Sequence, residues 1–447
     1  MRLANYLKQS AWASLDKALP VIYGLGFIFA VVRVLPAKEF GLLVLFQAVF
    51  LFIEMIDQAL VQIPMAKFLS EGEHAAWAIP TSFLLSLILV LLAGFASVLG
   101  APLLAALMGD MDLAGLLWYM PLMIAAFYLK NIASQICIAN HRIRSLFVID
   151  ATYYLGSLLL LIISYWLGIL SNARLVIWIN FYAALASSLL SGILTWQTLR
   201  ATSWQLSLAH LGRFLAFGKY SLGAGLGNYF YSQIDTFLIG HFYGLTKVAV
   251  YNAGKIIFRF YNIVSQATQV VLLPLISRFD AAGQREELRA LAEKAICFLF
   301  LLLLPLHLLL LVGSEFLLEI VYHGKYNDAT AILRVLVIGA FFLPWGAVGS
   351  NMQIGMGKPR VSFGFVLLVA GFNIIANLFL LPVFGVIGAA VAMTLAMVFG
   401  AILQMFYMRR TIQLRLQGIW QRRLDALHFG LSWMAKLRAA SMPTQKI

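Results

Sequence analysis

Apolar runs of about 20 residues recur along most of this 447-residue chain. A helix needs roughly 20 apolar residues to cross the hydrocarbon core of a bilayer, so each run is long enough to span it. The runs lie at residues 11–34, 41–66, 77–100, 114–139, 146–168, 173–199, 215–240, 248–276, 291–312, 330–355, 361–382 and 386–408. The sequence therefore predicts an all-α membrane protein with about twelve transmembrane helices.

The composition excludes several other classes of protein. Of the residues, 62% are apolar and only 11% are charged, with a mean hydropathy of +0.90, whereas soluble domains are about 25% charged. The formal charge of +14 does not indicate nucleic-acid binding, because the cations lie in short segments between apolar runs. Cys137 and Cys297 lie inside apolar runs, so we expect no disulfide framework, zinc site or cofactor. The sequence has no Walker A loop and no His-Glu-x-x-His motif, and we expect no enzymatic activity.

The positions of Lys and Arg predict the orientation in the membrane. When the loops are assigned alternately to two sides, 22 cations fall on the side of both termini and six on the other. Cytoplasmic loops are the ones that carry an excess of Lys and Arg. We therefore expect both termini in the cytoplasm and an even number of helices.

The two halves of the chain resemble each other. A shift of 208 residues lays polar positions of the second run, including Glu54, on polar positions of the eighth, including Asn262. Residues 135–144 parallel residues 351–360 at a shift of 216. Because transporters are commonly built from such repeats, we predict two pseudo-symmetric six-helix lobes.

The predicted domains are an N-terminal lobe at 1–204, a C-terminal lobe at 205–408 and a tail at 409–447. In the tail, apolar residues recur at steps of three or four among basic ones. This pattern predicts an amphipathic helix that lies on the anionic lipids of the inner leaflet. The alternative is a partly disordered, solubilising tail.

One face of the eighth predicted helix carries polar side chains at helical spacing. A charge inside a bilayer is costly, so such residues are functional candidates that line a wet cavity or pair with one another. Lys255 and Arg259 lie one turn apart, and an Arg fork beside a Lys point charge suits a diphosphate group. The alternative is that they pair with acidic residues and brace the two halves. The candidate binding positions on this face are Tyr251, Lys255, Arg259, Asn262 and Gln266.

Carboxylates within the predicted helices form an acidic counterpart. Glu54 and Asp57 lie in the second helix and Asp235 in the seventh. Burial raises the proton affinity of a carboxylate, so these residues are candidates for coupling transport to protons or sodium. The alternative for Asp57 is a place near the cytoplasmic interface, where charge costs less. Lys130 of the fourth helix either reaches a central cavity or extends its charged end to the interface.

A pair of aspartates raises a different possibility. Asp110 and Asp112 form an Asp-x-Asp motif, which can hold a metal on a sugar-nucleotide or polyprenyl-phosphate donor. A membrane glycosyltransferase or saccharide polymerase is therefore an alternative function. The short predicted external loops argue against it, because such enzymes usually have sizeable external domains.

Several stretches together resemble the Wzx-type oligosaccharide flippases, relatives of the multidrug and toxin extrusion (MATE) transporters and of the lipid II flippases. The stretches that carry the resemblance are residues 32–42, 233–240, 251–253, 273–278, 321–329 and 332–336. The resemblance implies a MATE-like fold in which two six-helix lobes enclose a cationic cavity that opens alternately to each side. It also implies a bacterial inner-membrane protein of O-antigen, lipopolysaccharide or exopolysaccharide biosynthesis.

The cargo that this resemblance implies is a polyprenyl-diphosphate-linked oligosaccharide. Basic cavity residues contact its headgroup in the family, which points here to Lys255 and Arg259, then to Lys17 and Lys130. A polysaccharide polymerase and other assembly proteins are implied as partners. The rival interpretation within the same fold is a multidrug or small-solute antiporter, which has little need for basic cavity residues.

Overall fold

The computed structural model describes residues 2–70, 75–202, 204, 206–258 and 260–425. This part of the chain is helical and contains no strand. Two π-helical turns, Ile28–Val32 and Gln58–Gln62, follow α1 and α2. The α-helices are α1 Arg2–Phe27, α2 Ala37–Asp57, α3 Ile63–Ser70, α4 Ala75–Met108, α5 Asp112–Leu117, α6 Met120–Ala139, α7 Ile143–Trp166, α8 Ala173–Ala201, α9 Leu208–Tyr243, α10 Leu245–Phe258, α11 Phe260–Ala281, α12 Arg285–Tyr322, α13 Ala329–Ala340, α14 Leu343–Gly355, α15 Pro359–Phe384, α16 Val386–Ile412 and α17 Leu416–Gln421.

The helices confirm a multi-pass membrane protein. Within the described ranges, nine helices are long and apolar enough to cross a bilayer. Helices α13 and α14, bent by 47° at their junction, add a tenth if they form one span. The predicted apolar runs fall on helices except at the turn residues 33–34, 118–119, 167–168 and 341–342, and residue 259 lies outside the described part. The exact number of twelve spans stays a prediction.

The chain divides into two compact units. The first unit comprises Met1–Asn252 together with Glu319–Tyr326, and the second comprises Ala253–Leu318 and Asn327–Ile447. The predicted lobes at 1–204 and 205–408 stay a prediction.

The first unit is built around pairs of long apolar helices. Helix α1 packs on α7, α6 packs on both α4 and α8, and α9 packs on α2 and its π-helical turn. At one end of the unit an aromatic cluster joins α3, α4 and α9. Trp77 stacks on His210 with centroids 4.3 Å apart, and Phe68 packs against Trp77 and Phe214 at 5.0 and 5.2 Å.

The second unit packs α15 on α16, α13 and α14 on α16, and α11 on α14. After α16 the chain turns at Gln413, whose φ is 53°, and Leu414 is buried in the core of this unit. The carboxylate of buried Glu293 accepts from the Arg415 amide at 3.2 Å and from Arg422 Nε at 3.4 Å. The start of the tail is therefore held on α12. Residues 426–447 of the predicted amphipathic tail lie outside the described residues.

The ends of α6 and α14, which the sequence repeat aligns, have the same geometry, which also occurs at the ends of α4, α7 and α11. The internal repeat stays a prediction. The second residue after each of α6 and α14 has a positive φ, His141 at 52° and Gly357 at 68°. The following amides, of Arg142 and Lys358, each donate to the carbonyl five residues earlier at 2.8 Å. This hydrogen-bond pattern is the Schellman helix end. It recurs at the shift of 216 residues found in the sequence.

Candidate transport site

The first unit contains a cavity of about 240 Å³ lined by α2, α4 and α6. Most of its wall is apolar. The polar groups on the wall are Glu54, Asp57, Tyr128 and Asn131. Two of the three predicted ion-coupling carboxylates therefore share one cavity.

Asp57 is oriented by a local change in helix geometry. Its carboxylate accepts from Gln62 Nε2 at 2.8 Å and from Ser86 Oγ of α4 at 2.8 Å. In an α-helix, residues five apart point about 140° away from each other. The π-helical turn Gln58–Gln62 widens the helix directly after Asp57, and this allows Gln62 to reach back to it.

Glu54 lies one turn before Asp57 and has an amide partner. Asn131 Nδ2 of α6 lies 3.2 and 3.3 Å from its two carboxylate oxygens. Among the residues that the structure describes, neither Glu54 nor Asp57 forms an ion pair. A wall with two carboxylates and neutral hydrogen-bond donors can take up a proton or a small cation.

Lys130 is buried and paired. Its Nζ lies 2.7 Å from Asp150 Oδ1 of α7, and its ammonium also lies over the rings of Phe127 and Tyr153 at 5.8 and 5.7 Å. The side chains of Lys130 and Asp150 are 10% and 18% exposed. Lys130 therefore does not extend its charge to the interface. The adjacent Asn131 faces Glu54, so α6 links the ion pair to the cavity.

Asp16 and Lys17 of α1 differ in their surroundings. Asp16 is 6% exposed, and its carboxyl group lies beside that of Asp150. Lys17 is exposed. Of the two predicted secondary cargo contacts, Lys130 is already neutralised by a carboxylate, whereas Lys17 is accessible.

Tyr251 and Asp235 form a buried pair in the first unit. Both are fully buried, and the Tyr251 hydroxyl donates to the Asp235 carboxylate. Asp235 also accepts from the Thr236 amide at 2.8 Å, and Asn252 Nδ2 lies 3.4 Å from the Thr236 hydroxyl. This network joins α9 to the first half of α10.

Lys255 lies in the second unit, near the end of α10, and is 6% exposed. Arg259 lies outside the described residues. Asn262 and Gln266 belong to α11, but their side chains are also outside the described part. The role of this polar face in binding cargo stays a prediction.

The Asp-x-Asp motif has a structural partner. Lys38, at the start of α2, lies 2.8 Å from Asp110 Oδ2 and 2.6 Å from Asp112 Oδ2. One lysine therefore bridges both carboxylates and ties α2 to the turn between α4 and α5. This contact gives the motif a structural role.

Sequence reasoning missed Tyr128, which lines the cavity, and Ser86, which donates to Asp57. Tyr128 could have been found, because it precedes Asn131 by three residues and lies on the same face of α6. Ser86 carries no such signal, since its place depends on how α4 packs against α2.

Comparison with known proteins gives the family of the chain. A family model described as polysaccharide biosynthesis protein matches residues 30–331, well over half of the sequence. The chain belongs to this family. The resemblance to oligosaccharide flippases found in the sequence is thereby confirmed at the level of the family.

The chain is also similar to a protein of Haloferax volcanii named "probable low-salt glycan biosynthesis flippase Agl15". The two are 25% identical over 203 residues, which cover 45% of the chain and 43% of Agl15. The chain spans less than half the length of the curated relatives it matches.

Solved structures confirm the MATE-like fold of the chain. An inward-facing multidrug resistance MATE family transporter of the MOP superfamily matches with a TM-score of 0.76 and 16% identity, over 91% of the chain and 98% of that transporter. Lipid II flippase MurJ, in an inward closed conformation, matches with a TM-score of 0.68 and 16% identity, over 98% of the chain and 94% of MurJ.

Proposed function

We propose that the chain is a flippase, and not an enzyme, that moves a polyprenyl-diphosphate-linked oligosaccharide across the inner membrane for surface polysaccharide biosynthesis. The observation that carries the proposal is the family match over residues 30–331 in a chain with a MATE-like fold. Agl15, a relative over part of the chain, is named as a glycan biosynthesis flippase, which supports the same cargo class.

The proposed mechanism is alternating access. The diphosphate binds Lys255 and Arg259 while the cavity is open to the cytoplasm, the glycan enters the wet interior, and the prenyl tail stays in lipid. Movement of the two predicted lobes then exposes the glycan on the other side. Lys17 and Lys130 are secondary contacts, and Lys130 must exchange Asp150 for the anion before it can bind.

The coupling ion is proposed to enter the cavity at Glu54 and Asp57. Uptake of a proton or sodium ion would neutralise charge on a wall whose hydrogen-bond partners are neutral. Because Asn131 contacts Glu54 and its neighbour Lys130 contacts Asp150, a change at Glu54 has a short path to α7. Asp235 is a third candidate; it does not line this cavity and accepts a hydrogen bond from Tyr251.

The excess of cations on one side supports a cytoplasmic position for both termini. Leu416, Trp420 and Leu424 are exposed at steps of four, and Arg423 lies 5.1 Å from the Trp420 ring. Such an apolar edge flanked by arginines suits the interface of an anionic leaflet. A polymerase and other assembly proteins are the expected partners on the far side.

The cargo site is tested with purified protein in vesicles that contain a fluorescent lipid-linked oligosaccharide. The readout is the fraction of label that becomes accessible to a membrane-impermeant quencher. Lys255→Ala combined with Arg259→Ala is expected to abolish flipping. Lys219→Ala combined with Arg213→Ala removes the same two charge types from exposed positions of α9 and is the matched control. Equal rates in the two double variants would remove the proposed headgroup site.

The coupling site is tested in the same vesicles under an imposed proton or sodium gradient. If a proton or a sodium gradient stimulates flipping by the wild type, Glu54→Gln is expected to abolish that stimulation. Flipping without a gradient should continue in this variant. Glu287→Gln, at an exposed position of α12, is the control and should respond like the wild type. A normal gradient response in Glu54→Gln would show that coupling lies elsewhere.

A further inference from the structure

A short segment of the second half of the chain belongs to the first unit. The chain leaves the second unit at Leu318, contributes Glu319–Tyr326 to the first unit, and returns to the second at Asn327. The segment comprises the last turn of α12 and the turn that follows it. Its contacts with the end of the first span and the start of α2 all lie within the first unit.

A lysine of this segment is bound by the end of the first span. Lys325 Nζ lies 3.3 Å from the Val32 carbonyl oxygen and 3.4 Å from that of Arg33, and it also donates to the Leu35 carbonyl. The last carbonyls of a helix have no partner within the helix and carry partial negative charge. The ammonium group therefore contacts the Val32 and Arg33 carbonyls at this helix end and the Leu35 carbonyl just beyond it.

The backbone of the segment is shaped to place this lysine. His323 and Gly324 have φ values of 50° and 76°. A positive φ is uncommon for residues other than glycine, so the conformation of His323 needs support from its surroundings. Two successive left-handed residues reverse the chain after α12, and this directs Lys325 back toward the first span.

Two tyrosines pack the segment into the unit. Tyr322 and Tyr326 are each 1% exposed, and their ring centroids are 5.2 Å apart. Tyr326 also lies 6.1 Å from the ring of Phe40, which is itself 1% exposed. These three side chains are among the largest fully buried ones in the described protein. Separation of the segment would expose all of them.

The surface that receives the segment is itself fixed. Beside Phe40, Lys38 bridges Asp110 and Asp112, and Glu39 Oε2 accepts from the Ala173 amide at the start of α8 at 2.8 Å. The start of α2 is thus joined to two other parts of the first unit. The segment docks on a part of the fold that three separate contacts hold in place.

We propose that Glu319–Tyr326 is a permanent anchor that stays docked on the first unit through the whole transport cycle. The anchor is therefore a fixed attachment of the end of α12 and not a gate that opens. This inference rests on the proposed alternating-access function, which requires the two halves to move. A gate built from this segment would have to expose three large buried rings in every cycle, which disfavours it.

The test locks the anchor covalently. In a background with Cys137→Ala and Cys297→Ala, cysteines replace the exposed His323 and Val34, and a bifunctional maleimide joins them. Each single-cysteine variant, treated with the same reagent, is the control. The cross-linked protein is expected to flip labelled lipid-linked oligosaccharide with no loss of rate. Loss of flipping in the cross-linked double variant alone would show a gate and overturn the anchor.

A second arm needs no cargo. Spin labels at the same two positions are measured by double electron–electron resonance in nanodiscs, with and without proton and sodium gradients. The anchor predicts one narrow distance distribution under every condition. A second, longer distance would overturn it. If the wild type fails to flip the lipid-linked oligosaccharide, the proposed function fails, whereas this arm still decides the anchor.

Discussion

The buried pair of Lys130 and Asp150 allows a quantitative prediction. Removal of one partner of a buried pair leaves an uncompensated charge and costs about 3–5 kcal/mol. Because the Asp150 side chain is 18% exposed, we expect Asp150→Asn to destabilise the protein by the lower figure, about 3 kcal/mol. Lys130→Met leaves Asp150 without its cation and should cost a similar amount. The double variant removes both charges, and we expect it to recover most of the loss.

The assay is the apparent unfolding temperature of the four proteins in detergent, followed by loss of the monodisperse peak after heating. The expected order is wild type, then the double variant close to it, then the two single variants. A flipping assay on the same four proteins separates stability from function. If Lys130 also contacts cargo, the double variant should be stable but should flip the lipid-linked oligosaccharide slowly. A double variant that loses as much stability as the two single variants together would refute the coupling of these charges.

Three further predictions concern stability and the tail. Tyr326→Ala should lower stability by about 3–5 kcal/mol, whereas Tyr326→Phe should be neutral in a thermal melt, because among the described residues the Tyr326 hydroxyl has no hydrogen-bond partner. Gly41→Ala should lower the free energy of unfolding by about 1–3 kcal/mol through overpacking, because an added Cβ would overlap the Leu245 carbonyl oxygen. A normal melting temperature would contradict this. Glu293→Ala should release Arg422 and speed tryptic cleavage after it, and unchanged cleavage would show that the tail is held by other contacts.

The helices could be predicted from the sequence because the physical constraint on them is simple. In a bilayer the backbone must satisfy its own hydrogen bonds, so a run of about 20 apolar residues has few alternatives to a helix. The apolar pattern could not predict where a helix is interrupted. The bend between α13 and α14 falls inside the predicted run 330–355, at residues that are as apolar as their neighbours.

The cavity carboxylates could be predicted, but their partners could not. Glu54 and Asp57 are recognisable because charge is rare in a span. The partners, such as Ser86 and Asn131, lie on other helices, and the contact depends on the rotation of each helix. The bond from Asp57 to Gln62 also needs the π-helical turn, which no propensity of residues 58–62 indicates.

The stretch at residues 32–42 carries part of the family resemblance, but its contacts do not follow from the sequence. In the structure several of its residues contact distant parts of the chain. Leu35 accepts from Lys325, Lys38 pairs with Asp110 and Glu39 accepts from the start of α8. These partners are separated by 72 to 290 residues in sequence, so their contacts follow from the fold and could not be derived from local pattern.

The central claim is that this protein carries a lipid-linked oligosaccharide, and its most direct measurement is the initial rate of translocation by the purified wild type in protein-containing and protein-free vesicles. The account predicts a rate that rises in proportion to the protein present and falls when a soluble prenyl diphosphate competes for the headgroup site. A rate equal to that of protein-free vesicles, in a preparation that extrudes cationic dyes, would contradict it.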